Sequence, residues 1–325
     1  MKLQFLIPQY NESEEVIKPL LDSIALQQNI DMNQIGCIIV NDGSNIILSN
    51  DFLNSYPYEI KYIKNSHQGV STTRNTALSA ATAKYVMFCD ADDMFYNACG
   101  LYIIFREMKL NKFDVLISNF TEETRHPQTK EVIYINHDID STFVHGKVYR
   151  RKFLEKQNIK FNPELTIHED SYFNCLAQKC AKEVKYCPNP FYLWKWRDES
   201  VCRHDPKYIL KTYNNMLESN TALVKEFLAR NKKEDAQFYS TMMIYDAYFT
   251  MNKNEWINQE NIEYRQSTEK RFKQYYLEFK SLYESIDTDI KNQIIIQLKN
   301  RFFQEGMIME SITFEDWIQH VLENF

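Results

Sequence analysis

Through the first 140 residues, short unbroken apolar runs alternate with segments at helical spacing. LQFLIP (3–8), GCIIVNDGS (36–44), YEIKYIKN (58–65), KYVMFCDADD (84–93), FDVLISNF (113–120) and EVIYIN (131–136) read as strands. SEEVIKPLLDSIALQQ (13–28) gathers Val16, Leu20, Leu21, Ile24 and Leu26 largely on one face, which predicts a helix capped by Ser13 that accommodates Pro19 early. GVSTTRNTALSAATA (69–83) predicts a second helix whose small residues permit close packing. Continuously apolar strands separated by helices predict an α/β fold: a Rossmann-like, mostly parallel sheet with helices on both faces. Ligands of such sheets sit outside the carboxyl ends of the strands. PQYNE, NDGS and DADD each follow directly on an apolar run, so all three polar clusters are expected on one edge of one sheet.

After Pro206 the pattern changes. Residues 207–325 hold one Gly, no Pro and long stretches at helical spacing, such as YILKTYNNMLESNTALVKEFLARN. This predicts two domains: a catalytic domain over 1–205 and an all-helical C-terminal appendage over 206–325. The apolar faces of the appendage suit acceptor binding or homo-oligomer assembly.

Composition narrows the function classes. A net charge of -6 and a pI near 5.7 argue against nucleic acid as a partner, which needs a basic surface. No run approaches the roughly 18 apolar residues that span a bilayer. MKLQFLIPQYNE is too short and too early broken for a signal peptide. The seven cysteines are odd in number and lack C-x-x-C spacing, which argues against a disulfide framework or structural zinc. The expectation is a cytoplasmic protein without a transmembrane segment, with peripheral membrane association left open.

Asp90 and Asp92 carry the first chemical signal. In extended backbone, residues i and i+2 point the same way, so the two carboxylates can meet one hard cation such as Mg²⁺ or Mn²⁺, bound together with substrate phosphates. A solvated acidic turn is the alternative. Asp42 and Gly43, after CIIV, offer an acceptor for a base or ribose, or simply a turn. Arg74, on the helix begun by Gly69, can pair with a phosphate, with the acidic cluster, or with a surface carboxylate. Glu169 and Asp170 read alone as acids in a first helical turn, favoured there by the helix dipole.

Taken together and in order, Pro8-Gln9-Tyr10-Asn11-Glu12, Val40-Asn41-Asp42-Gly43-Ser44, Gln68-Gly69-Val70-Ser71 with Arg74-Asn75, and Asp90-Ala91-Asp92-Asp93 resemble the motifs of family 2 glycosyltransferases, which have the GT-A fold. The resemblance is carried by about the first 95 residues, continues more weakly through HGKVYRRKFL (145–154) and HED (168–170), and fades after about 205. It implies a nucleotide-sugar donor, UDP-linked in many members, and a glycan or other hydroxyl acceptor. It also implies Mn²⁺ or Mg²⁺ and inversion by a single displacement. By position it implies that Pro8, Tyr10, Asn11, Glu12, Asp42, Gly69, Arg74, Asp90 and Ala91 surround the nucleotide. Asp92, with Asp90, would hold the metal. Asp170, with Glu169 as substitute, would be the catalytic base. Trp196, Arg197, Arg203 and His204 fall where family members place an active-site loop. Asp93 receives no role.

The chain lacks the Q-x-x-R-W segment and membrane helices of processive synthases. A haloacid-dehalogenase-like phosphatase needs Thr or Val where Met94 stands, and a nucleotidyltransferase needs a Gly-rich basic loop near its start. A catalytically degenerate binding or scaffold protein of the same fold is the remaining alternative, and the intact acidic set argues against it. Usage rich in Ile, Asn, Lys and Tyr fits an AT-rich genome, with a bacterial cell-surface polysaccharide or a phage-encoded modification as the setting.

Overall fold

The structure, a computed structural model, describes residues 1–126, 128–138, 140, 142–197, 207–304 and 312–325. The chain forms two compact units, Met1–Ser200 and Val201–Phe325.

The first unit is built on a nine-stranded sheet: β1 (Leu3–Gln9), β2 (Ile35–Asp42), β3 (Glu59–Asn65), β4 (Tyr85–Phe88), β5 (Met94–Phe95), β6 (Val115–Arg125), β7 (Val132–His137), β8 (Lys147–Arg150) and β9 (Val184–Trp194). The order is β3-β2-β1-β4-β8-β6-β9-β5, with β7 added to β6. From β3 to β4 every pairing is parallel. β8 enters antiparallel between β4 and β6, and β6 then pairs parallel with β9. The sheet's helices are α1 (Glu14–Ala25), α2 (Asn50–Asn54), α3 (Val70–Ala80), α4 (Gly100–Leu110), α5 (Arg151–Lys156) and α6 (Glu169–Cys180).

The elements follow from the residues. β2 is buried along its whole length, as an inner strand covered on both faces requires. α1 buries Ile17, Leu20, Leu21 and Ile24 against a core that includes Phe5, Ile7, Cys37 and Ile39. Ser13 stands at its N-cap, but its carbonyl rather than its hydroxyl accepts the first bonds, from Val16 and Ile17. β4 stops at Phe88, so DADD is not extended. Asp93 N donates to Asp90 O at 3.2 Å, closing a turn. β9 contains Pro188 and Pro190 and shifts register against β6 between Ser118 and Phe120. The described cysteines are free thiols.

The second unit is helical over its described residues: α7 (Tyr208–Ala229), α8 (Lys233–Met251), α9 (Asn254–Ile257), α10 (Ile262–Ser285), α11 (Thr288–Gln304) and α12 (Phe314–Asn324). α8 and α11 share a cluster of Tyr245, Phe249, Ile294, Leu298 and Phe302. Trp317 of α12 lies 4.8 Å, ring to ring, from Phe272 of α10. Among the described residues no helix is long and apolar enough to cross a membrane.

Candidate active site

The carboxyl ends of β1, β2 and β4 and the start of α3 enclose a cleft of about 320 Å³. Pro8, Gln9, Tyr10, Glu12, Asp42, His67, Gly69, Arg74, Asp90, Ala91 and Asp92 are among its lining residues. PQYNE, NDGS and DADD thus share one sheet edge, as their positions after apolar runs predict. Asn11 is not among the lining residues. It takes φ +68°, and its N–H donates to Ser44 Oγ at 2.9 Å, joining the first two clusters.

Asp42 is buried and accepts from Gln68 N at 2.8 Å and Gly69 N at 2.9 Å. Its carboxylate thereby ties the end of β2 to the start of α3. His67 Nδ1 lies 2.9 Å from Asp42 Oδ2, and the imidazole stacks on Tyr10 at 4.5 Å. Gly69 has φ +86°, a conformation that favours glycine, and an added Cβ there would meet nothing within 4 Å.

Arg74 is the hub. Its guanidinium is 4% exposed and reaches three carboxylates: Nη1 to Glu169 Oε1 at 2.9 Å and Asp170 Oδ1 at 2.7 Å, Nη2 to Asp90 Oδ1 at 2.9 Å. Of the partners open to Arg74 in the sequence, the structure shows the acidic cluster. The three acids raise its pKa above the ordinary value despite burial. Burial would raise Asp90, but the Arg74 charge and a His145 hydrogen bond outweigh it and hold Asp90 well below the usual range. Asp170 goes the other way. Burial, with Glu169 and Asp90 adding their charge against Arg74, pushes its carboxyl up to about 7. Val144 N donates to Asp170 Oδ2 at 3.2 Å. A carboxyl poised there can take up a proton near neutrality.

The acidic turn separates its members. Asp93 points inward, accepting from Tyr192 Oη at 2.6 Å and Lys195 N at 2.9 Å. Burial and the charges of Asp92 and Asp90 push it well above the carboxylate range. Tyr192 Oη also accepts from Asp90 N at 3.1 Å. Asp90 and Asp92 face the cleft, and Arg197 Nη1 lies 3.1 Å from Asp92 Oδ2. Ligand atoms of Asp90, Asp93 and His145 also come within 4.8 Å of one another. Asp93 and His145 are buried, however, and both Asp93 oxygens are already bonded, so of the acidic turn's carboxylates those that line the cleft are Asp90 and Asp92. That oxygen donor set fits a hard divalent cation completed by substrate phosphates.

Residues 5–169, just over half of the 325-residue chain, match the family model described as glycosyl transferase family 2. The chain belongs to that family. Among the relatives of this family 2 glycosyltransferase, the putative glycosyltransferase EpsH of Bacillus subtilis is 28% identical over 260 residues, 72% of this chain and 71% of EpsH. The uncharacterized glycosyltransferase EpsJ of the same organism is 25% identical over 220 residues, 61% of this chain and 62% of EpsJ. The poly(ribitol-phosphate) beta-N-acetylglucosaminyltransferase TarS of Staphylococcus aureus is 26% identical over 214 residues, 61% of this chain and only 36% of TarS. The crystal structure of S. aureus TarS 1–349 in complex with UDP has the same fold, with a TM-score of 0.63 at 17% identity over 94% of this chain and 92% of that one. That fragment is also known in complex with UDP-GlcNAc.

Within the glycosyltransferase, the structure brings Arg197 of the expected loop to Asp92 and, at 3.7 Å, to Glu12. Trp196 is half-buried. Arg203 and His204 lie outside the described residues. Sequence reasoning missed His145, Tyr192 and His67 as site residues. His145 is sandwiched between Phe143 and Tyr192, with Nε2 3.4 Å from Asp90 Oδ2. Its only signal was its place at the head of HGKVYRRKFL.

Proposed function

We propose that this family 2 glycosyltransferase moves a sugar, as a hexosyl or N-acetylhexosaminyl unit, from a UDP-sugar to a hydroxyl of a cell-surface glycan, with inversion. One observation carries the reading: a cleft at the strand ends holds Tyr10, Asp42, Asp90 and Asp92, and a single buried guanidinium links it to a carboxyl poised near 7.

Pro8 and Tyr10 flank the base, Asp42 accepts from it, and Asp90 accepts from the ribose. Asp92, with Asp90, would hold Mn²⁺ or Mg²⁺, which would supply positive charge to neutralise the diphosphate leaving group. Asp170 removes the proton of the acceptor hydroxyl as its oxygen attacks the anomeric carbon, opposite the diphosphate. A new C–O bond forms, the bond to the diphosphate oxygen breaks, and the electron pair leaves on UDP. Arg74 orients Asp170 and keeps Asp90 charged. The raised proton affinity of Asp170 makes it a better base than an ordinary carboxylate at neutral pH. The helical unit serves acceptor recognition or assembly, and the enzyme works in the cytoplasm, in peripheral association with the membrane.

The test is donor turnover with a panel of nucleotide sugars, Mn²⁺ and candidate glycan acceptors. UDP release from one donor, stimulated by acceptor, is the expected result. Protein that neither binds nor turns over any donor overturns the reading.

A further inference from the structure

A buried lysine underlies the loop before β8. Lys147, the first residue of that strand, has no exposed surface, which is rare for a lysine. Its Nζ donates to Phe143 O and, at 3.4 Å, to His145 O, and its backbone N donates to Val144 O at 3.3 Å. One residue thus collects three consecutive carbonyls. Asp140 Oδ1 lies 3.9 Å from Nζ and accepts from Thr142 N at 2.7 Å and Phe143 N at 2.9 Å. Gly146 ends the loop at φ +66°, where an added Cβ would meet Ser118 Oγ at 2.6 Å. Val144 N is left to donate to Asp170 Oδ2 at 3.2 Å, the one hydrogen-bond partner of that oxygen among the described residues. Four residues further along α6, the buried Asn174 donates from Nδ2 to Thr142 O at 2.7 Å. Loop and α6 therefore meet through two bonds on one helix face.

We propose that Lys147, aided by Asp140, is a positioning residue for sugar transfer: it sets residues 142–145 so that the Val144 N–H fixes the carboxyl plane of Asp170. The inference rests on the reading of Asp170 as the base. Arg74 alone, bonded to Oδ1, leaves the carboxyl free to turn about that bond. A second bond at Oδ2 fixes the plane, and with it the direction from which a lone pair meets the acceptor hydroxyl. Geometry of this kind must hold to about 0.5 Å. A leucine or methionine at 147 would fill the space without the cost of desolvating an ammonium, so the charge is there for the carbonyls it orders. The same loop brings His145 Nε2 to Asp90 Oδ2, but only at 3.4 Å. His145 is wedged among Phe120, Phe143, Tyr192 and Trp194, and Asp90 is held separately by Arg74. Slackening the loop therefore reaches the base before it reaches the donor side of the cleft.

Steady-state kinetics with the donor and acceptor that the panel selects, beside calorimetry with UDP and Mn²⁺, tests this on the full chain. Lys147→Met is expected to lower kcat by about tenfold or more and to leave UDP affinity within about twofold. In Asp170→Asn protein the same substitution has no further effect on kcat, because its effect runs through the missing base. Should Lys147→Met protein fail to fold, the partly exposed Asp140 decides. Asp140→Ala frees two loop N–H groups and lowers kcat severalfold, and Asp140→Asn, which keeps an oxygen for them, recovers most of that loss. Wild-type kcat in Lys147→Met or Asp140→Ala, an equal loss with and without Asp170, or a kcat loss matched by a loss of UDP affinity overturns the inference. Asp170→Asn protein that transfers at the wild-type rate overturns instead the reading beneath it.

Discussion

Arg74 Nη1 donates to Asp170 Oδ1 at 2.7 Å, and the two residues come from helices whose starts lie far apart in sequence. Through this bond the first turn of α6 is held against the acidic turn after β4, because Nη2 of the same guanidinium holds Asp90. The position of the proposed base is therefore set by an ion pair rather than by its own helix alone.

The pH dependence of Asp170 follows from its raised pKa, about 7 against an ordinary 3.8. Between those values the folded protein holds the proton more tightly than the unfolded chain. This group's contribution to stability is full below about pH 4 and is lost as pH rises through about 7. Asp170→Asn removes that slope, read by urea unfolding at several pH values. Transfer shows the opposite trend, losing about tenfold per pH unit below about 7 as the base is protonated. Asp170→Asn lowers kcat by about a hundredfold or more while donor affinity, measured by calorimetry, holds.

Arg74→Met leaves Asp90, Glu169 and Asp170 crowded without their shared cation. Removing one partner of a buried ion pair costs about 3–5 kcal/mol. The expected result is a stability loss of that order, partly relieved at low pH, where the carboxylates protonate. Denaturant unfolding at pH 5 and pH 8 measures it. Equal loss at both pH values contradicts the assignment of Arg74 as the neutralising cation.

Asp92→Asn keeps the shape of the acidic turn, because the bonds that hold it belong to Asp90, Asp93 and Tyr192. Wild-type protein is expected to melt at a higher temperature with UDP and Mn²⁺ together than with either alone, since a ligand of the folded state alone stabilises it. In Asp92→Asn the Mn²⁺ increment disappears while the melting temperature without ligand stays. An undiminished Mn²⁺ increment assigns the metal elsewhere.

Gly69→Ala tests the entry to α3. The added methyl meets no neighbour, so the whole cost comes from a side chain at φ +86° and ψ 164°, an essentially glycine-only region that costs about 1–3 kcal/mol. The expected fall in melting temperature is a few degrees. A much larger fall means that the Asp42 bonds to Gln68 and Gly69 N–H break as well.

Much of this site was legible from one-dimensional pattern. Buried parallel strands advertise themselves as unbroken apolar runs, and the polar residues after them fall where the sheet must bind. PQYNE, NDGS and DADD were placed that way. β9 was not, since Pro188 and Pro190 interrupt it where the register shifts. β8 was hidden because KVYR is too short to show a period. The partners of Arg74 and the stack around His145 join segments tens of residues apart, and no local spacing encodes them. The turn at Asp90–Asp93 replaced the expected extended segment because Asp93 is drawn inward by Tyr192 and Lys195.

Tyr192 touches both ends of that turn with one hydroxyl, Asp90 N on one side and Asp93 Oδ2 on the other. The phenol therefore acts as a gauge block between the sheet interior and the cleft floor. A relative that replaces Tyr192 with Phe would lose the only donor that side chain brings to Asp93, so substitutions at 93 and 192 are expected to travel together.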